Sequence, residues 1–319
     1  MKIIDLKKGI VTDSVSGPLC LLLGNFDGVH EGHATLARAA LEEGRRLGVK
    51  VAVWTFEVHP LICFGKEVKI LTDNAEKNAA FADLGIDYVI YESFPETKDM
   101  LPLDFINDVL IDRYDAKAVV CGFNFKFGKE GKGTPELLTS EMEKAGRSVT
   151  VVHPVSKMGK VVSSTSIRAY LEKGRVEDAA EMLGRYYSIN TPVIHGNEIG
   201  RTIGVPTINQ RFERGKMKPQ SAIYACKCYV NGKEYLGVAN VGSRPTVNDD
   251  VLNINCETHI IDFSGWLYGK LVKVCFCKKL RDERKFDGID ELKEAIQNDI
   301  EQTRAFFAEQ ERLENKVLE

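Results

Sequence analysis

Hydrophobic positions change period regularly along the first part of the chain. The run LCLLL at Leu19–Leu23 is continuously apolar and reads as a strand buried on both faces. Apolar side chains then return at helical spacing over 34–47, with Leu36, Ala40 and Leu47 expected on the inner side. Residues 51–56 are again strand-like, Phe105, Ile106, Val109 and Leu110 recur at helical spacing, and 118–121 and 149–152 supply further strands. Strands alternating with helices predict a parallel sheet with helices packed on its faces. Two helices close this region. Ile167, Tyr170 and Leu171 share a face ahead of Gly174, and Val176, Ala179, Ala180 and Leu183 share one ahead of Gly184, each glycine suiting a helix C-cap.

From Tyr186 the texture changes. IYACKCYV and EYLGVANV flank Asn231-Gly232, a pair that favours a tight type I′ hairpin turn. NINCETHII and KLVKVCFC add β-rich runs, and residues 289–307 return to helical period with Leu292, Ile296 and Ile300 on one side. The expected fold is therefore α/β followed by β. An N-terminal Rossmann-like domain (1–184) precedes an antiparallel β-barrel domain with a C-terminal helix (185–319).

Composition narrows the class. The 319 residues suffice for two modest cores, and a net charge of −3 does not fit an overall basic nucleic-acid binder. The apolar run in MKIIDLKKGI is too short for a signal peptide, and no stretch reaches the roughly 18 apolar residues of a membrane span. None of the eight cysteines forms a Cys-x-x-Cys pair, and most sit in apolar runs, as buried thiols of a reducing cytoplasm would. A metal site built from the pairs Cys226/Cys228 and Cys275/Cys277 is the alternative, although these lack the usual zinc spacing. Oligomeric state leaves no signature.

Two constellations carry chemistry. Between the first strand and first helix lies GNFDGVHEGH, Gly24 to His33. Its glycines let backbone approach a ligand, and the helix start offers unpaired N–H groups and a positive dipole end. His30 and His33 are placed to reach one phosphate from a single turn, stabilising charge at an attacked α-phosphorus and on departing pyrophosphate. The plainer reading is a strand-to-helix turn with solvated histidines. Ser164, Thr165 and Arg168 in SSTSIR open another helix and form a second anion site or an ordinary N-cap. GKEGKGT, from Gly128 to Thr134, is not a P-loop, because Thr134 stands where the lysine is required.

The second constellation runs from Gly196 through Gly200, Arg201, Gly204 and Pro206 to Thr207 and Asn209. In extended chain Thr207 and Asn209 share a face, and their oxygens suit Mg²⁺ alongside nucleotide phosphates, with the glycines cradling those phosphates. A loop entering a barrel strand is the alternative. Glu257 alternates with Cys256 and Thr258 and shares a face with Asn255 and His259. It is either a solvent-facing strand glutamate or a base for a substrate hydroxyl attacking a γ-phosphate.

GNFDGVHEGH resembles the signature of the HxGH nucleotidyltransferases, and VSSTSIR resembles their C-terminal phosphate-binding motif. With TFEVHP at Thr55 to Pro60 and CGFNFKFG at Cys121 to Gly128, the N-terminal half resembles the FMN adenylyltransferase module of prokaryotic FAD synthetases. HGNEIGRTIGVPTIN, GVANVGSRPT, ETHIIDFSGWLYGK and LRDERKFD resemble riboflavin kinase, in the order of the bifunctional bacterial enzymes. That resemblance implies ATP as co-substrate, with riboflavin, FMN and FAD as partners and no nucleic acid or membrane. It implies an adenylyltransferase ATP site of Gly24, Asn25, Phe26, His30, His33, Ser164, Thr165 and Arg168, with Asn124 holding FMN. For the kinase it implies Gly200, Arg201, Gly204, Pro206, Thr207 and Asn209 at ATP, Mg²⁺ on Thr207 and Asn209, Glu257 as catalytic base, and Arg281 near the isoalloxazine ring.

Departures from the family pattern are Val58 for proline, Val205 for phenylalanine, Gln210 for an apolar residue, and Ser221-Ala222-Ile223-Tyr224 for Gly-Val-Tyr. Ala222 matters if its backbone requires positive φ. Competing readings are a nucleotidyltransferase with another acceptor, a flavin-binding regulator on an inactive scaffold, and one active site beside a silent kinase.

Overall fold

A computed structural model of the protein describes residues 1–5, 17–196, 200, 204–242 and 256–318. They form two compact units, Met1–Ser164 and Thr165–Glu319.

In the first unit, six parallel strands stand in the order β1-β4-β3-β2-β5-β6. They are β1 (Lys2–Asp5), β2 (Leu19–Leu23), β3 (Lys50–Phe56), β4 (Tyr88–Glu92), β5 (Ala116–Gly122) and β6 (Ser148–Val152). The continuous apolar run of β2 follows from its central place, since both faces are covered. Leu19, Leu21 and Leu23 pack with Phe105, Ile106, Val109, Leu110 and Leu138 on one face. Cys20 and Leu22 pack with Ala37, Ala40 and Phe81 on the other.

Helix α1 (Glu31–Leu47) buries Ala34, Ala37, Ala40 and Gly44, whereas Leu47 is exposed and Leu36 only partly buried. The fully buried side is therefore made of small residues, with Leu36 packed at its margin and Leu47 exposed, contrary to the expectation for Leu47. Close approach is the reason, because a Cβ at Gly44 would lie 2.6 Å from Cγ2 of Val51. The short helix α2 (Pro60–Cys63) buries nothing, while α3 (Asn74–Asp83) has a capping box of Asp73 and Glu76. After α4 (Phe94–Thr97) and α5 (Pro102–Asp104), a π-helical stretch Phe105–Arg113 places 105, 106, 109 and 110 inward. Helix α6 (Pro135–Lys144) and the small ribbon β7 (Ser156–Lys157) and β8 (Lys160–Val161) follow.

Strand order reverses at β2, which has β3 on one side and β5 on the other. In open parallel sheets, ligands bind beyond the carboxyl ends of the strands at such a switch point. Gly24 follows β2 directly and Asn124 follows β5, so sheet topology brings those two segments together.

The second unit holds α7 (Ser164–Glu172) almost entirely, α8 (Val176–Leu183) and an antiparallel sheet in the order β10-β13-β12-β11-β14-β9. The strands are β9 (Tyr187–Pro192), β10 (Ile208–Gln210), β11 (Ala222–Val230), β12 (Lys233–Val241), β13 (Cys256–Ile260) and β14 (Leu271–Asp282). Hairpin β11–β12 turns at Asn231 and Gly232, both at positive φ, as a type I′ turn requires. A bridge between Ile194 and Asn209 joins the chain after β9 to β10, curling the sheet toward closure. The C-terminal helix Ile289–Leu318 packs on β11 and β12. Helix α8 buries Val176, Ala179, Met182 and Leu183 and contacts β9 and β14.

Two departures acquire physical explanations. Gln210 is fully buried, and its Nε2 donates to the carbonyls of Thr191 and Val272 at 2.8 and 2.7 Å, tying β10 to β9 and β14. Ala222 begins β11 and is not among the residues at positive φ, so its Cβ causes no strain.

Candidate active sites

The turn between β2 and α1 is strained. Phe26, Gly28 and Val29 have φ of 55°, 90° and 39°, and a β-branched residue there is uncommon. Contacts from three directions over-determine this backbone. Asp27 Oδ1 accepts from the amides of Leu71 and Thr72 at 2.8 and 3.2 Å, and the Gly28 amide donates to Thr72 Oγ1 at 2.9 Å. Ser164 Oγ donates to the Asp27 carbonyl at 2.8 Å, while Thr55 Oγ1 and Lys77 Nζ both donate to the Asn25 carbonyl.

His30 caps α1, its Nδ1 accepting from the His33 amide at 3.3 Å. As a neutral ring it therefore carries its proton on Nε2. The two imidazoles stack at 3.6 Å between centroids with 14° between planes, and Phe26 meets His33 edge-on at 5.1 Å. The helix thus brings both predicted histidines together. Ser164 reaches the same turn. Thr165 and Arg168 continue α7 within the second compact unit.

Gly24, Asn25, Phe26, His33 and Asn124 all line a cavity of about 620 Å³. Its walls are aromatic. Phe64 meets Phe94, Phe94 meets Phe56, Phe56 meets Trp54, and Trp54 meets Phe105, all edge-on at 5.0–5.3 Å. Phe125 and Phe127 stack at 5.6 Å to continue the series. Gly133 makes room for this wall, since a Cβ there would lie 2.6 Å from the Phe127 ring. Such a cavity can hold a flat aromatic system at one end and a polyphosphate at the other. Sequence reading singled out Gly24, Asn25, Phe26, His33 and Asn124 among its lining, but did not assemble the aromatic wall.

Lys77 lies beneath the strained turn, 5% exposed, and burial lowers its amine to about pH 8 against the opposing pull of Asp27 and Asp73. Between about pH 8 and the ordinary lysine value of 10.5, the unfolded chain binds the extra proton. Stability attributable to Lys77 accordingly rises with pH across that window. Its charged form carries a penalty on the order of 3 kcal/mol at neutral pH. Lys77→Met is expected to raise Tm at pH 7, with the gain shrinking as pH climbs from 8 toward 10.5. A lower Tm at both ends would show the ammonium to be a net stabiliser.

In the second unit, backbone register assembles the site. Asn209 on β10 pairs with Glu257 on β13, which pairs on its other side with Asn240 on β12. Directly paired residues point to the same face of a sheet. Glu257 and His259 are half-buried while Cys256, Thr258 and Ile260 are buried, matching the expected alternation. Asn209 is 5% exposed, and a Cβ on Gly196 would come within 2.4 Å of its amide nitrogen. Likewise a Cβ on Gly200 would sit 2.3 Å from the Val205 carbonyl. A side chain at either glycine would therefore collide with its neighbour. Arg201 and Asn255 lie outside the described residues.

A pocket of about 270 Å³ is lined by Thr207, Phe263, Trp266 and Tyr268, and by Ile208 and Thr258 on the strand positions that alternate with Asn209 and Glu257, with His195 stacked on Tyr268 at 3.9 Å. His259 Nδ1 lies 2.8 Å from the Pro206 carbonyl, a hydrogen bond that fixes the loop.

Arg281 gives its planar fork to Asp299 at 2.9 and 2.7 Å, and Asp299 is 1% exposed. The guanidinium carbon also lies 5.6 Å from the Phe286 ring centroid. Asp299→Ala would leave Arg281 without its buried partner. Breaking such a pair costs roughly 3–5 kcal/mol, to be read as a lower urea midpoint. A change below 1 kcal/mol would show the pair to be solvent-screened.

All eight cysteines are free, and only Cys63 is exposed. Burial raises the Cys20, Cys121 and Cys256 thiols to about 12 and Cys275 to about 11. Buried in this way, they pack as small apolar side chains. Among the described residues, no helix is long and apolar enough to cross a membrane.

Comparison with known proteins matches the chain to two family models. Residues 13–166 match the FAD synthetase model, and residues 183–307 match the riboflavin kinase model. A bifunctional riboflavin kinase/FMN adenylyltransferase from Listeria monocytogenes is 35% identical over 98% of this chain and 100% of its own length. The protein of that description from Escherichia coli is 36% identical over 90% of this chain and 92% of its own. A crystal structure from Streptococcus pneumoniae described as a macrolide-efflux protein has a TM-score of 0.82 at 28% identity, covering 95% of this chain and 98% of that one. With both halves matched in order and more than a third of positions shared with full-length relatives, the chain belongs to the bifunctional riboflavin kinase/FMN adenylyltransferase family.

Proposed function

We propose that the protein makes FAD by two ATP-dependent transfers, riboflavin to FMN at the C-terminal site and FMN to FAD at the N-terminal site. The observation that supports this reading is that GNFDGVHEGH borders a large aromatic cavity and that Asn209 of the PTIN segment stands in register with Glu257.

In the kinase step, Glu257 takes the proton of the ribityl 5′-hydroxyl as its oxygen attacks the γ-phosphorus of ATP. The bond from γ-phosphorus to the bridging oxygen breaks, giving FMN and ADP. Thr207 and Asn209 offer hard oxygen donors on one extended segment, a set that suits Mg²⁺ sharing phosphate oxygens. Magnesium held there would offset charge building on the transferred and leaving groups. Gly200, Arg201, Gly204 and Pro206 flank the nucleotide, and the pocket with Tyr268 and Trp266 takes its base. Arg281, fixed by Asp299, lies toward the ring end of the flavin.

In the adenylyltransferase step, an FMN phosphate oxygen attacks the α-phosphorus of ATP and pyrophosphate leaves, giving FAD. His30, presenting Nε2–H, and His33 stabilise the phosphate charge, with Ser164, Thr165 and Arg168 as further donors. Gly24, Asn25 and Phe26 bring backbone to ATP, and Asn124 with the aromatic wall holds the isoalloxazine ring. No side-chain nucleophile is needed, because positioning and electrostatics suffice. The adenylyltransferase module spans 1–184 and the kinase module 185–319, working in the cytoplasm.

Product balance tests this assignment. Riboflavin with Mg-ATP should give one ADP per FMN, and FMN with Mg-ATP should give one pyrophosphate per FAD. Release of ADP in the FMN-dependent step would contradict attack at the α-phosphorus.

A further inference from the structure

The row through the kinase site continues beyond Glu257. Register pairs Asn209 with Glu257, Glu257 with Asn240, Asn240 with Ile223, and Ile223 with Arg281, crossing β10, β13, β12, β11 and β14 in turn. Asn240 is half-buried, and its amide oxygen is buried yet accepts no hydrogen bond. A buried acceptor without a donor is costly, and native proteins keep few of them. Next along the row, Ile223 belongs to an apolar cluster with Val238, Ile261, Leu280 and Ile300.

The order of chemistry along the row is amide, carboxylate, buried acceptor, apolar floor. A flavin substrate presents the reacting hydroxyl, then its polyol chain, then its ring in the same order. The Asn240 oxygen calls for a donor, which excludes phosphate oxygens. Paired residues on neighbouring strands have Cβ atoms about 5 Å apart. A group meeting Asn240 is therefore one or two carbons from the hydroxyl that Glu257 deprotonates.

We propose that Asn240 binds the substrate of the kinase site, its amide oxygen accepting a hydrogen bond from a hydroxyl within the polyol chain. This inference rests on the kinase reading above. It makes Asn240 a specificity residue, since a site built to pair a hydroxyl rejects analogues that lack it.

Asn240→Leu tests it with riboflavin and with lumiflavin, a flavin ring without the polyol. The KM for riboflavin in FMN formation should rise about tenfold, the loss of one good hydrogen bond. Inhibition of that reaction by lumiflavin and the KM for ATP should stay unchanged. Tm should not fall, because leucine removes an unpaired polar atom, and conversion of FMN to FAD should match the unmutated protein. An unchanged riboflavin KM, or an equal weakening of lumiflavin, would overturn the proposal while leaving the kinase reading intact. A fall in Tm with a rise in every kinetic constant would assign Asn240 a structural role instead. Failure of the unmutated protein to phosphorylate riboflavin would overturn the kinase reading and this inference together.

Discussion

Glu257→Gln is expected to slow riboflavin phosphorylation by roughly 10²–10⁴-fold, the usual contribution of a positioned general base. The substitution preserves size and hydrogen-bonding capacity but removes the proton acceptor. Glu257 is held between Asn209 and Asn240 by strand register rather than by a mobile loop, so the amide should occupy the same place. The loss should fall on kcat, with the KM for riboflavin and for ATP moved far less. Adenylylation of supplied FMN should continue at the unmutated rate, because the N-terminal cavity is built wholly from other residues. A Glu257→Gln protein that still phosphorylates riboflavin within about threefold of normal would remove Glu257 from the mechanism.

His33→Ala should produce the mirror image. Removing one preorganised donor from a charge-stabilising site costs about 10²–10³-fold in rate. FMN should therefore accumulate from riboflavin while FAD formation falls away. His33 is the cleaner of the two histidines to remove. His30 also caps α1 through its Nδ1, so its loss would add a capping cost of about 1 kcal/mol. In the His33→Ala protein that cap survives, because it is the His33 backbone amide that donates to His30. A Tm close to the unmutated value together with the kinetic loss would separate chemistry from folding. Normal FAD formation by the variant would show that the stacked pair is only a feature of the turn.

Much of the fold was legible because its strands obey simple patterns. LCLLL could be a central parallel strand since both its faces are buried, and Asn231-Gly232 could be a hairpin since it supplies two positive φ values. Strands β1 and β4 escaped notice: both are short, four and five residues, and β1 stands at the sheet edge. Leu47 misled because hydrophobicity does not report how closely a helix approaches its sheet. At α1 the fit demands glycine and alanine.

The sites divide along the same line. GNFDGVHEGH and PTIN are contiguous, so their chemistry can be read locally. The aromatic wall of Trp54, Phe56, Phe94, Phe105 and Phe127 comes from separated segments, and its members look like ordinary core residues until the sheet gathers them. Asn240 is hidden for the same reason. It lies inside GVANVGSRPT, but nothing local gives it a role, and only pairing of β12 with β13 sets it beside Glu257.

The most direct test of two activities in one chain is a single incubation of the purified protein with riboflavin and Mg-ATP, followed by chromatographic separation of the flavins. The account predicts FMN appearing first and then FAD, with Glu257→Gln stopping at riboflavin and His33→Ala stopping at FMN. Conversion of supplied FMN to FAD with riboflavin left untouched would contradict the kinase half. If neither flavin changed, the two-step account would be wrong.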